Sequence, residues 1–175
     1  MTSDLDDILA RLHAGDVEFI IVGGVAANLH GSARVTVDLD VMYGRNDDNI
    51  ARLVKALAPL APYLRGAPPG LPFVFDAPTV KAGLNFTLDT SAGPLDLLGE
   101  MAGVGRYEEA VTHTTAMDIT GDESLVINLD WLIRAKRAAG RPKDLEVLAE
   151  LELLQDPEVR RAAEAGLPQS NPKKR

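Results

Sequence analysis

Residues 15–42, GDVEFIIVGGVAANLHGSARVTVDLDVM, decide how this chain is read. The run VEFIIV (17–22) is short, apolar and rich in branched residues, with glycine on both sides, and predicts a buried strand. Gly23 and Gly24 follow at once, and VAANLHG predicts a short helix closed by Gly31. In residues 34–42, Val35, Val37, Leu39 and Val41 alternate with Thr36, Asp38 and Asp40. That alternation predicts a second strand, apolar on one face and acidic on the other.

Strand residues two apart share a side, so Asp38 and Asp40 converge. Two carboxylates that close repel each other unless a hard cation lies between them, and oxygen donors suit magnesium. An ordinary solvated strand face, with its acids paired to Arg34 or Lys81, carries the same pattern. The glycine pair makes the case more specific. Glycine lets backbone approach a phosphate, and a helix start offers N–H groups and partial positive charge. A tight strand-to-helix turn also favours glycine, but here a strand with paired acids follows within one helix length. One element then suits a triphosphate and the next suits its metal.

Around this segment the elements are readable. Ser3 reads as the cap of a helix over residues 4–13, with Leu5, Ile8, Leu9 and Leu12 at helical spacing. Asn46 or Asp47 caps a helix running to about Leu60, and residues 59–72 form a connector rich in Pro, Gly and Ala. Residues 73–101 read as β structure, with LNFTLDT and PLDLLGEM flanking a hairpin turn at Ser91-Ala92-Gly93. Short strands with a turn at Gly121-Asp122 fill residues 103–127. Asn128 caps a helix that stops at Gly140, Pro142 starts another to about Gln155, and a final helix covers residues 157–165. The expected architecture is α/β (α+β): a core over residues 1–127, a C-terminal helical portion over 128–166 packed on it, and a disordered tail over 167–175.

Asp96 supplies a possible third acid. It lies in the apolar run PLDLL, where a carboxylate is costly unless paired or metal-bound. Asp89 is the competitor, since strand parity places it on an equally plausible exposed face with Thr87. Two-metal chemistry clamps the attacking and leaving oxygens of a displacement, and a third carboxylate near the attacking hydroxyl would complete it.

Composition sets limits. The chain has 175 residues, 46% of them apolar, which suits one compact domain. It has no cysteine, so disulfides and thiolate metal sites are excluded, in keeping with the cytoplasm. No stretch is long and apolar enough to span a membrane, and the acidic start, MTSDLDDILA, does not read as a secretory signal. A net charge of −8 does not steer the protein to nucleic acid, so any such contact needs a local basic patch. Arg134, Lys136, Arg137, Arg141 and Lys143 form a basic run that is either such a patch or a solvated helix face. His30 and His113 lack metal-ligand spacing, and Trp131 reads as core packing.

VGGVAANLHGSARVTVDLDV resembles the signature of nucleotidyltransferases of the DNA-polymerase-β superfamily: a glycine turn, a short helix, then D-x-D. The finer pattern, His-Gly followed by R-x-T-x-D-x-D, is similar to stand-alone bacterial and archaeal members, including AbiEii-type toxins of toxin–antitoxin pairs. LDWLIRAKRAAGRPKDLEVLAEL resembles the C-terminal signature of that group, and together the likeness covers about residues 15–155. It implies the nucleotidyltransferase fold, a small mixed central sheet flanked by helices. It also implies transfer of a nucleoside monophosphate from ATP or another NTP to an acceptor hydroxyl on RNA (tRNA among them) or protein. Gly23 and Gly24 would hold the triphosphate. Asp38 and Asp40 would bind two Mg2+ ions, and Asp96 would join one metal and help deprotonate the acceptor. Arg34 would touch phosphate, Lys136 and Asp144 would line the nucleotide site, and Asn28 and Thr36 would support it. The same residues admit plainer roles: Arg34 as an ion-pair partner of Asp38, Lys136 as a solvated cation, Asp144 as a first-turn acid favouring the helix dipole. The alternative at the level of function is a catalytically silent nucleotide-binding or protein-interaction module, one half of a pair with a cognate antitoxin.

Overall fold

The computed structural model describes residues 4–68 and 70–166; the expected cap at Ser3 and the tail from residue 167 lie outside them. Helix α1 (Asp4–Ala14) leads into β1 (Phe19–Val22), whose four residues are all buried because it is an inner strand. Helix α2 (Gly23–Leu29) starts directly at the glycine pair. Strand β2 (Leu39–Tyr43) returns antiparallel to β1, from Phe19 opposite Tyr43 to Val22 opposite Asp40. Helix α3 (Asp47–Leu57) follows, its cap Asn46 accepting a hydrogen bond from the Asn49 N–H.

β2 begins five residues later than the alternation predicts. Pairing with β1 ends at Val22–Asp40, and pairing with the next neighbour starts at Leu39–Leu95, so residues upstream of Leu39 meet no strand on either side. They run as an irregular segment instead, and Val35 and Val37 are 92% and 66% exposed rather than buried. Alternation specifies a strand only where neighbours supply backbone partners and one face is covered.

The connector after α3 is not wholly irregular. It holds a 3-10 turn (Ala58–Leu60) and a two-residue edge strand, β3 (Tyr63–Leu64). Inside the stretch read as β lies helix α4 (Ala77–Ala82), capped by Asp76, which accepts from the Thr79 N–H, with Pro78 in its first turn. Those are legitimate start signals that the surrounding apolar residues obscure. Strands β4 (Asn85–Thr90) and β5 (Gly93–Leu98) form the expected hairpin, with Thr90 opposite Gly93. After the small ribbon of β6 (Glu100–Met101) and β7 (Gly105–Arg106) comes a short helix, α5 (Tyr107–Ala110), and then the hairpin of β8 (Thr114–Ile119) and β9 (Asp122–Ile127). Helices α6 (Leu129–Ala139), α7 (Pro142–Leu153) and α8 (Pro157–Gly166) close the described chain, with Gly140 at φ 61° ending α6.

The seven-stranded sheet has the order β3-β4-β5-β2-β1-β9-β8, with β2–β5 and β1–β9 parallel and the other pairs antiparallel. It is a mixed sheet flanked by helices. α1 packs on α3 and α3 on α4, while α2 packs on α6 and α6 on α7. One apolar core runs through these elements, including Leu132, Ile133 and Ala135 of α6 and Leu148 and Leu151 of α7.

A buried amide fixes the start of β1 against the end of β2. Asn49 has no exposed surface; it accepts from the Glu18 N–H (2.7 Å) and donates to Glu18 O (3.0 Å) and Gly44 O (2.8 Å). Asn49→Ala leaves three backbone groups without these partners and should cost about 2–4 kcal/mol in urea unfolding, with an unchanged m-value.

Candidate active site

The sheet register, more than the loops, gathers the acids. Asp40 on β2 stands directly opposite Asp96 on the parallel strand β5, and Asp96 stands opposite Thr87 on β4. Register partners project to one face, so Asp40 and Asp96 share it. Asp38 lies just before β2, in the irregular segment, and lines the same cleft. That cleft, of about 650 Å³, is also lined by Gly23, Gly24, Asn28, Arg34, Thr36, Lys136, Arg141 and Asp144. Asp89 does not line it among the described residues, although the hairpin register places it on the same sheet face as Asp96.

The glycine pair has a specific steric reason. Gly23 has φ 62°, and a Cβ there would overlap the Asp40 carboxylate. A Cβ on Gly24 would come within 2.6 Å of Thr36 Oγ1. The Gly24 N–H donates to Asp40 Oδ2 at 3.3 Å. The turn therefore holds a catalytic candidate as well as facing the cleft, a role that motif reading assigned only to phosphate. Thr36 supports the neighbouring segment, its hydroxyl donating to Asp38 O at 3.3 Å.

Helices α6 and α7 supply the opposite wall. Asp144 is 2% exposed and pairs with Lys136 (3.3 Å) and Arg141 (2.6 Å). Burial opposes its ionisation, but the Arg141 and Lys136 charges outweigh that and hold its carboxyl below the ordinary range. Lys136, with its side chain 15% exposed, is not a solvated cation. Arg141 stays charged more firmly than usual, chiefly through its bond to Asp144 and further through attraction to Asp40 and Asp96. Arg34 pairs neither with Asp38 nor with the other site acids; its Nε reaches Glu150 at 3.0 Å and its Nη2 donates to Glu146 O at 2.9 Å. The histidines do structural work: His30 Nε2 lies 2.7 Å from Ile127 O, and His113 stacks on Trp131 at 3.7 Å.

Sequence reasoning missed Arg65. It follows β3 and reaches Asp38 (3.2 Å), Asp96 (3.3 Å) and Asp89 (3.0 Å). A single arginine in a connector rich in proline and glycine carries no pattern, and only the pairing of β3 with β4 brings it to the acids. Among the described residues, no three acidic or histidine side chains stand ready as a metal cage.

Asp40 has the most perturbed chemistry. Burial, then the charges of Asp96 and Asp38, raise its pKa to about 6, against the Gly24 N–H and the Lys136 charge, which lower it. A raised carboxyl contributes stability that is complete below its unfolded value, near 3.8, and is lost as pH rises through about 6. In chelator, Asp40→Asn should therefore be more stable than the wild type at pH 7.5 by about 1–2 kcal/mol. The difference should shrink as pH falls below about 6 and close below about 3.8 in thermal melts.

No protein-family model matches the chain, and no curated protein matches it in sequence. Solved structures do match in shape. A crystal structure of the antibiotic-resistance factor ANT(2'')-Ia in complex with adenylyl-2''-tobramycin aligns with a TM-score of 0.57 and 16% identity, covering 92% of this chain and 95% of that one. A solution structure of ANT(2'')-Ia gives a TM-score of 0.55 and 14% identity over 93% of this chain and 88% of that one. A candidate nucleotidyltransferase from Thermotoga maritima gives a TM-score of 0.55 and 13% identity over 83% of this chain and 88% of that one. With its mixed sheet, flanking helices and acids at the start of β2, the chain has the nucleotidyltransferase fold.

Proposed function

We propose that this protein is a nucleotidyltransferase that moves a nucleoside monophosphate from an NTP to an acceptor hydroxyl. The observation that carries the reading is the register pairing of Asp40 with Asp96, with Asp38 beside them, in front of the glycine-led helix α2 of this fold. The donor set fits a hard divalent cation: it is all carboxylate oxygen, burial and then the neighbouring acids raise Asp40, and it already draws a cation, Arg65, onto two of its members.

Asp38, Asp40 and Asp96 would hold Mg2+, which when bound neutralises phosphate charge and lowers the pKa of a nearby hydroxyl. The chain's own groups would do the rest. Gly23 and Gly24 keep the floor free of side chains so that a triphosphate can approach the backbone. Lys136 and Arg141 face the acids from the opposite wall and would meet phosphate oxygens, with Asp144 fixing both cations in place. Asp96 would accept the acceptor proton. Arg34 would act indirectly, by tying the Asp38 segment to α7.

For the acceptor, a protein or small-molecule hydroxyl ranks ahead of RNA. Three cations of the basic run, Lys136, Arg137 and Arg141, are already paired with Asp144 and Glu152 on α7, which lowers the positive charge the run offers a polyanion. The structure of ANT(2'')-Ia in complex with adenylyl-2''-tobramycin puts a small compound within the range of this fold. A toxin role with a cognate antitoxin rests on the AbiEii-type motif. Two observations favour the second reading, a silent nucleotide-binding module: no metal cage stands ready among the described residues, and Arg65 contacts both Asp38 and Asp96.

Incubation with each labelled triphosphate, Mg2+ and either cell extract, RNA or aminoglycosides separates the readings. Under the first, label transfer falls at least about a hundredfold in Asp38→Ala and in Asp96→Ala, more than loss of a supporting group costs. Lys136→Ala should mainly raise KM for the triphosphate. Triphosphate binding with no transfer to any acceptor would instead establish the silent module.

A further inference from the structure

Arg65 joins acids from three separate segments. Its Nη1 lies 3.2 Å from Asp38 Oδ2, its Nη2 3.3 Å from Asp96 Oδ1, and its Nε 3.0 Å from Asp89 Oδ1. It is also anchored to β4: its backbone N–H donates to Thr87 O (3.0 Å) and Nη2 donates to Leu88 O (2.8 Å). These partners fall into two sets. Asp38 and Asp96 line the cleft, whereas Asp89 and Leu88 belong to the adjoining strand and do not line it among the described residues. A guanidinium fork can hold both sets at once only while no other cation claims the first. A divalent ion between Asp38 and Asp96 would share the two carboxylates that Arg65 already contacts, and two cations that close repel. Asp89 and Leu88 O would still hold the arginine after it let go of the cleft acids.

We propose that Arg65 is a resident counter-cation that competes with divalent metal for Asp38 and Asp96, with Asp89 retaining it once the metal has entered. This rests on the reading of Asp38, Asp40 and Asp96 as metal ligands. Without metal, Arg65 holds the repelling acids together and stabilises the fold. With metal, its displacement weakens net ion affinity. The competition is a free-energy coupling between two cations and must act in both directions.

The test uses the full-length protein and Mn2+, titrated alone and with a non-hydrolysable ATP analogue, with binding followed by water-proton relaxation and stability by thermal melting. Arg65→Gln should melt lower than the wild type in chelator yet bind free Mn2+ more tightly, on the order of tenfold. Arg65→Lys keeps the charge but cannot bridge three acids, and should fall between the two; it also serves if Arg65→Gln folds poorly. Asp38→Ala should abolish the Mn2+ binding of the wild type. If wild-type binding depends on Asp38 while both Arg65 variants bind Mn2+ no more tightly than the wild type, the competition is overturned and the metal site stands. If Arg65→Lys matches the wild type while Arg65→Gln binds more tightly, charge at a distance replaces bridging, and the proposal fails in that form. If neither the wild type nor the variants bind Mn2+ under either condition, the metal-ligand reading falls and takes this proposal with it.

Discussion

Asp40 and Asp96 stand side by side because β2 and β5 are parallel and in register, and everything else at the site answers the repulsion this creates. A pair of carboxylates on neighbouring strands, set back from solvent, is unstable unless something positive or dipolar is brought to it. Among the described residues such groups come from several directions: the Gly24 N–H from the start of α2, Arg65 from the edge of the sheet, Lys136 from α6 and Arg141 from the cap of α7. Even with these, Asp40 remains hard to ionise. Under the proposed function, that shortfall of positive charge is what an external cation would meet.

The glycine pair shows how closely binding and structure are joined here. A phosphate cradle and a strand-to-helix turn both favour glycine, and sequence alone cannot separate them. Packing adds a third demand, since side chains at Gly23 and Gly24 would run into Asp40 and Thr36. The turn is needed for the acid to sit where it does, before any ligand is considered.

Much of this was legible in the chain. β1, the short helix at Gly23, the β4–β5 hairpin and the Asn128–Gly140 helix follow from apolar runs, turn residues and caps, which are local signals. The grouping of Asp38, Asp40 and Asp96 in one cleft was also expected, although parity on one strand was the wrong reason for Asp38, which precedes β2. What stayed hidden depends on distant pairing. Whether RVTV forms a strand is decided by where β1 ends and where the pairing with β5 begins, the latter far away along the chain. Arg65 meets the acids only because two residues of an irregular connector join the edge of the sheet. Arg34 looks like a phosphate or carboxylate ligand until α7 is seen to offer Glu150.

That last contact ties two parts of the molecule together. The segment carrying Asp38 has no strand beside it, and it is fastened to α7 by Arg34 on Glu150 and Glu146 O and by the Ala33 N–H on Glu150. α7 also carries Asp144, which holds the two wall cations. A tilt of this one helix would thus retune both sides of the cleft in concert, moving an acid and its facing positive charges as a single lever.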